Sequence, residues 1–311
     1  MTDRTPDANL WPELPPLEDW QDTFDTLHMW VQIVGKVRLE CGPWLNHSWG
    51  SALYVTTRGL TTSPVPHRGR TFAIDFDFVS HALRVTTSEG EERSFALEPM
   101  AVADFYRKTM DALDSLGIEV EIFSRPVEVE TATPFEEDTE HASYDADPVH
   151  RFWRALVQAD RVMTDFRSRF IGKVSPVHFF WGAFDLAVTR FSGRDAPTHP
   201  GGAPNCADWV MEEAYSRELA SVGFWPGAGL GEAAFYAYAY PQPDGFKDRP
   251  VEPDAAYFHD DLGEFILPYE AVQKAPDPDA ALLAFLQSTY EAAADLASWD
   301  RAALEVEAPQ T

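Results

Sequence analysis

His47-Ser48-Trp49-Gly50 leading to Thr57-Arg58, and His178-Phe179-Phe180-Trp181-Gly182 leading to Thr189-Arg190, are two versions of one stretch. Trp-Gly and Thr-Arg each occur only twice in the chain, and both times the Arg follows the Trp by nine residues, at an offset of 132. The match points to an internal duplication, which residues upstream can test. Trp20, Phe24, Leu27, Val31 and Val34 recur at the four- and three-residue spacing of one helix face. The same offset of 132 carries them onto Phe152, Leu156, Ala159, Met163 and Phe166, an equally apolar stripe.

A repeat of this length is domain-sized, too long for a solenoid unit. Extended segments are expected at 49–58, 71–78, 82–87 and 93–97 in the first copy, and at 180–191, 233–240, 255–259 and 264–267 in the second. Each copy closes with a second helix, at about 100–116 and 278–297. The fold class is therefore α+β: two similar lobes, each an antiparallel β-meander with flanking helices. Phe105 and Phe285 are 180 residues apart, so the second copy carries 48 more residues, assigned to a Gly/Pro-rich insertion at about 192–232. Such an insertion is a natural place for a site. The expected organisation is an extended lead-in (1–18), a first repeat (19–123), a solvated acidic linker (124–147), a second repeat (148–300) and a frayed tail (301–311). Asp19 or Asp22 is the expected cap of the first helix, and Asp147-Pro148 the start of the helix after the linker.

Composition narrows the partners. The 51 acidic and 24 basic residues give a net charge of −27, which repels nucleic acid and anionic membrane. No apolar run reaches the roughly 20 residues of a membrane span, and the first residues have no signal-peptide pattern. Cys41 and Cys206 are isolated, with no spacing for a disulfide framework or zinc knuckle, so a reducing cytoplasm is the expected setting.

His28-Met29-Trp30 in the middle of the first helix, followed by Asn46-His47-Ser48-Trp49-Gly50, resembles a family of bacterial proteins known as a domain of unknown function. The resemblance runs on through Ser175-Pro176-Val177-His178-Phe179-Phe180-Trp181-Gly182 to Trp299, nearly the whole chain. It implies no activity.

Candidate site residues follow from polar groups where a strand pattern should be apolar. Alternation along 180–189 puts Phe180, Gly182, Phe184, Leu186 and Val188 on a core face, and Trp181, Ala183, Asp185, Ala187 and Thr189 on the other. The second face reads as a cleft wall, Trp181 offering a flat surface and Asp185 a carboxylate, or else as a face covered by a helix. His178 and His47, at corresponding strand mouths, are candidate acid/base groups with Asp185. Trp49, Trp181 and Trp225 are candidate ligand surfaces, with Arg58 and Arg190 as anion anchors or ion-pair partners. Asn205 from the insertion, and His28 with Gln32 one turn further on, complete the ligand-binding candidates; the His28–Gln32 pair serves either core or cleft. His178, His199 and Glu213 form a two-His, one-carboxylate set suited to zinc, iron or manganese, though no local motif ties them together. Gly223–Gly231 lacks the ending of a phosphate loop, and no nucleophile elbow is present.

The leading expectation is an enzyme acting on a small organic molecule at the cleft between the lobes, metal-assisted or metal-free. The alternatives are a non-catalytic small-molecule binder in the same cleft and a structural or partner-binding protein. Perturbed ionisable groups converging in one place would favour the enzyme.

Overall fold

The computed structural model describes residues 10–306. The first half runs α1 (Gln21–Cys41), β1 (Tyr54–Val55), β2 (Gly59–Thr61), β3 (Val65–His67), β4 (Arg70–Asp77), β5 (Ala82–Thr87), β6 (Glu92–Ala96) and α2 (Val102–Asp114). The second runs α3 (Ala146–Ser168), β7 (His178–Phe180), β8 (Asp185–Asp195), α4 (Asp208–Ala214), β9 (Arg217–Trp225), β10 (Ala234–Tyr240), β11 (Tyr257–His259), β12 (Glu264–Pro268), α5 (Tyr269–Gln273), α6 (Pro278–Leu296) and α7 (Arg301–Leu304). The chain is α+β, with two antiparallel sheets of six strands each. Among the described residues no helix is long and apolar enough to cross a membrane.

Both sheets grow away from a shared edge, and neither is the simple meander expected, since β2 pairs with β4 and β10 with β12. The first is ordered β1-β2-β4-β5-β6 with β3 on β4, and the second β7-β8-β9-β10-β12-β11. The edges meet where Leu53 and Phe179 exchange backbone N–H···O=C bonds of 2.9 and 2.8 Å. One hydrophobic core runs through both halves. Period-two burial in β4 and β5 pairs Phe72, Ile74 and Phe76 across the strands with Thr87, Val85 and Leu83. The two helix stripes read from the sequence are buried, and α1 is enclosed nearly all round, its polar Thr26, His28, Gln32 and Lys36 included: Trp30 on a second face stacks on Phe105 of α2, with centroids 4.7 Å apart.

Several expectations change. The strand expected at 180–191 is a hairpin, β7 and β8, turning through Trp181–Phe184 with Phe184 at φ 57°. The counterpart at 49–58 is mostly turn: His47 and Ser48 ahead of it both take positive φ, and pairing is confined to Leu53 and Tyr54–Val55. His47 therefore does not sit at a strand mouth. The region assigned to an insertion contains β9, a central strand buried on both faces from Leu219 to Phe224 and so without period-two patterning. The acidic segment is no solvated spacer, since Phe135 and Asp138 are buried within it. The lead-in is anchored by buried Trp11 and Leu17, and its first nine residues lie outside the described range. Residues 305–306 of the tail are tied to the body, Glu305 bridging Phe170; 307–311 lie outside the described range. α1 has no side-chain cap, and α3 begins at Ala146 with Asp145 accepting from the Asp147 N–H.

Candidate functional site

Asp185 opens β8 on the outer face of the second sheet, together with Ser221, Gly223 and Trp225 of β9, Tyr236 and Tyr238 of β10, and Glu264 of β12. The inner face carries Leu186, Val188, Val222, Phe224, Phe235 and Phe265 into the core. The alternation Tyr236-Ala237-Tyr238-Ala239-Tyr240 thus puts tyrosines outward and alanines inward, the reverse of an ordinary solvent face. Tyr236 reaches across β9 so that its hydroxyl donates to Asp185 Oδ2. Gly223 makes the crossing possible: a Cβ there would stand 2.2 Å from the Tyr236 Cζ and hydroxyl oxygen. Tyr215 and Tyr238 share a hydroxyl–hydroxyl bond of 2.8 Å, and Thr189 and Ser221 one of 2.9 Å.

Two distant segments close over this face, and α1 positions one of them. The Gln32 side chain takes both hydrogen bonds of one backbone unit, accepting from the Val127 N–H and donating to the Val127 carbonyl, each at 2.9 Å. The next residue, Glu128, is held at φ 58°, a conformation a glutamate rarely adopts. Its carboxyl lies against Gly182, where a Cβ would come within 2.1 Å of Oε1. Its N–H donates to the Pro204 carbonyl at 2.7 Å, and Asn205 donates to the Val129 carbonyl at 2.6 Å, so the 203–206 loop is stitched to the 127–130 segment. His28, one turn before Gln32, lies 2.8 Å from the Gly182 carbonyl and 3.1 Å from that of Trp181. Two carbonyl acceptors require Nε2 to carry the proton, and burial lowers the His28 pKa to about 4 against the opposing pull of those bonds. His28 and Gln32 therefore fasten the cleft walls and stand outside its chemistry.

The ionisable groups gathered here are displaced from their ordinary values. Burial raises Asp185 to about 7; the Tyr236 bond opposes the rise and the charge of Glu128 adds to it. Burial, with Asp185 nearby, raises Glu264 to about 7. Glu128 keeps contact with solvent although protein atoms crowd its carboxyl, and that crowding raises its pKa. Burial raises Tyr215 to about 12, and Tyr236 and Tyr238 also lie high, so all three phenols stay protonated near neutrality. Lys36 of α1 lies over the rings of Trp181 and Phe123, and burial lowers it to about 8. Asp185 and Glu264 thereby change protonation close to pH 7, beside phenols that stay protonated.

The sequence candidates divide accordingly. Asp185 is in the cleft, Trp225 packs on Tyr236 at 5.5 Å, Asn205 stitches the cover, and His199 touches the rim through Tyr215 at 4.6 Å. Trp181 is no cleft wall: its indole lies on Gly35 of α1, with Nε1 donating to the Ser51 carbonyl at 2.8 Å. His178 is completely buried among Trp49, Tyr54 and Phe180, neither ring nitrogen has a partner, and burial lowers its pKa to about 3, helped by Arg38 and Arg167. Enclosed in this way it is placed for neither proton transfer nor ligation. His47 is bound elsewhere: Glu213 accepts from its backbone N–H, Nδ1 lies 2.9 Å from the Ala214 carbonyl, and Lys173 Nζ approaches Nε2 at 2.5 Å. Trp49 lies beside it. The metal set His178, His199 and Glu213 does not assemble, and among the described residues no three His, Cys, Asp or Glu side chains form a group able to hold a metal ion. Arg58 pairs bidentately with buried Asp77, and Arg190 enters the inner face among aromatic rings.

Sequence reading offered Tyr215 with the insertion and missed Glu128, Tyr236, Tyr238 and Glu264. The alternating tyrosines of β10 were the available signal for two of them. Nothing local marks Glu128, whose position depends on Gln32 almost a hundred residues away.

Fold and site together define an α+β protein of two edge-joined antiparallel sheets with a cluster of carboxyls and tyrosines on the outer face of the second. The Family of unknown function (DUF5996) matches residues 11–306, and the chain belongs to it. No curated protein and no solved structure matches the chain.

Proposed function

We propose that the chain is an enzyme acting on a small organic molecule by acid/base chemistry in the cleft over β8, β9, β10 and β12. The observation that carries this reading is the grouping of Glu264 and Glu128 around Asp185, all three with raised pKa values, with the Asp185 carboxyl held by the Tyr236 hydroxyl. A catalytic acid or base works best when its pKa lies near the working pH. Asp185 is the proton-transfer group in this proposal, Tyr236 holds its carboxyl, and Glu264 and Glu128 share the proton. The cytoplasm is the proposed location, a reducing setting in which free Cys41 and Cys206 remain thiols. The outward row of Trp225, Tyr236, Tyr238 and Tyr240 favours a second reading, a non-catalytic binder for a flat organic ligand.

The test is a small-molecule screen on melting temperature at about pH 6 and about pH 8, either side of the Asp185 and Glu264 values near 7. Compounds that stabilise the wild type in a pH-dependent way, lose the effect in Asp185→Asn and are turned over support the enzyme. Binding that survives Asp185→Asn without turnover supports the binder. Hits that bind equally well to a variant with Tyr236, Tyr238 and Glu264 all replaced would defeat both.

A further inference from the structure

Arg190 points away from the cleft, onto the inner face of the second sheet, where it is completely buried. Its guanidinium lies 3.5 Å from the ring centroid of Phe166 and 4.3 Å from that of Tyr290, with Phe170 at 5.1 Å. One terminal N–H donates to the Phe166 carbonyl near the end of α3. Nε and Nη1 have no hydrogen-bond partner at all. The neighbouring Arg169 Nε and Gln287 Oε1 are likewise buried and unpaired. These four atoms, of nine such atoms among the described residues, belong to residues that line one open cavity of about 460 Å³.

The charge of this cavity runs against that of the chain. Arg169, Arg190 and Arg301 line it against Glu305, in a protein of net charge −27. Arg301 is already saturated by Glu291, Asp295 and Glu305, and Arg169 spends a terminal nitrogen on Asp165. The unspent donors are therefore Arg190 Nε and Nη1 and Arg169 Nε. Buried donors without acceptors are costly, and the planar edge of a guanidinium matches the paired oxygens of an oxyanion. We propose that this cavity is an anion-binding site for a phosphate or carboxylate group, held by Arg169 and by Arg190 at its floor, whose unpaired nitrogens lie just beneath the cavity surface and reach the ligand by a small side-chain shift. It lies on the opposite face of the sheet from Asp185 and does not depend on the acid/base reading.

Isothermal titration of the full chain with inorganic phosphate, and separately with acetate, at constant ionic strength set by chloride, tests the site. Arg190 is too deeply packed to replace safely, so the variants are Arg169→Gln, which removes a donor, and Glu305→Gln, which removes the competing charge. Saturable binding is expected in the wild type, weakened about tenfold or more by Arg169→Gln, as loss of one charge-assisted hydrogen bond implies, and tightened by Glu305→Gln. Arg161→Gln, in an arginine paired with Asp279 outside the cavity, should change nothing. Saturation by phosphate alone assigns a phosphate-bearing ligand, and by acetate alone a carboxylate. No saturable binding of either anion overturns the proposal, as does an equal loss in Arg161→Gln, which would mean diffuse charge only.

Discussion

Replacing Gly223 by alanine tests the packing that holds Asp185 and Tyr236 together. The glycine sits inside β9 with φ outside the left-handed region, so alanine brings no backbone strain. By itself a Gly→Ala change within a strand would stabilise by roughly 0.5–1 kcal/mol. The new Cβ, however, would stand 2.2 Å from the Tyr236 Cζ and hydroxyl oxygen. Tyr236 is confined between Trp225 at 5.5 Å and Tyr238 at 6.0 Å, so its ring has little room to retreat. Overpacking costs about 1–3 kcal/mol, and losing the hydrogen bond to a buried carboxyl about 1.5–3 kcal/mol more. After the glycine gain is subtracted, Gly223→Ala should destabilise by roughly 2–5 kcal/mol. Urea unfolding of the wild type, Gly223→Ala, Tyr236→Ala and the double variant measures this. In the Tyr236→Ala background the obstruction is gone, and the added alanine should be neutral or slightly stabilising. Gly223→Ala as stable as the wild type, or equally destabilising in both backgrounds, would refute the reasoning.

The raised values of Asp185 and Glu264 also set a pH dependence. A carboxyl that binds its proton more tightly folded than unfolded gives most stability below its unfolded pKa of about 4 and loses it as pH rises toward the folded value. Melting temperature should therefore decline between about pH 4 and the folded value of about 7, and Asp185→Asn should flatten the decline; an unchanged slope would remove Asp185 as its source. His178→Phe replaces two orphaned ring nitrogens with apolar surface, so thermal unfolding should show unchanged or increased stability; a loss beyond about 2 kcal/mol would reveal a partner for the imidazole. Gln32→Ala removes both bonds to the Val127 backbone unit, and hydrogen exchange at Val127 should accelerate by the equivalent of about 1–3 kcal/mol while α1 stays protected; unaltered exchange would show that Gln32 does not hold the cover.

What could be read from the sequence was whatever local periodicity encodes. Phe24, Leu27, Val31 and Val34, and their counterparts from Phe152 to Phe166, lie on helices because burial demands the 3.6-residue period. Strands β4 and β5 follow period-two alternation in the same way. Turns proved harder. His47, Ser48 and Phe184 adopt positive φ without glycine, so two segments that looked extended double back. β9 was hidden by the Gly/Pro-rich residues on either side of it. Asp185 was legible because a carboxylate stood where a strand should be apolar. His178 was misleading for the same reason, since a buried polar residue at a strand end signals either a site or an unpaired core group, and the sequence carries no distance to decide. Glu128 and Glu264 reach Asp185 only through long-range packing.

Site-resolved carbon NMR titration of the Asp and Glu side-chain carboxyls in the full chain tests the central claim most directly. The account predicts that Asp185 and Glu264 titrate near 7, and that Asp185→Asn moves the Glu264 midpoint downward as a neighbouring negative charge is removed. Midpoints near the ordinary carboxyl value of about 4 for both, with no response of one to loss of the other, would mean a solvated sheet face and would contradict a catalytic cleft there.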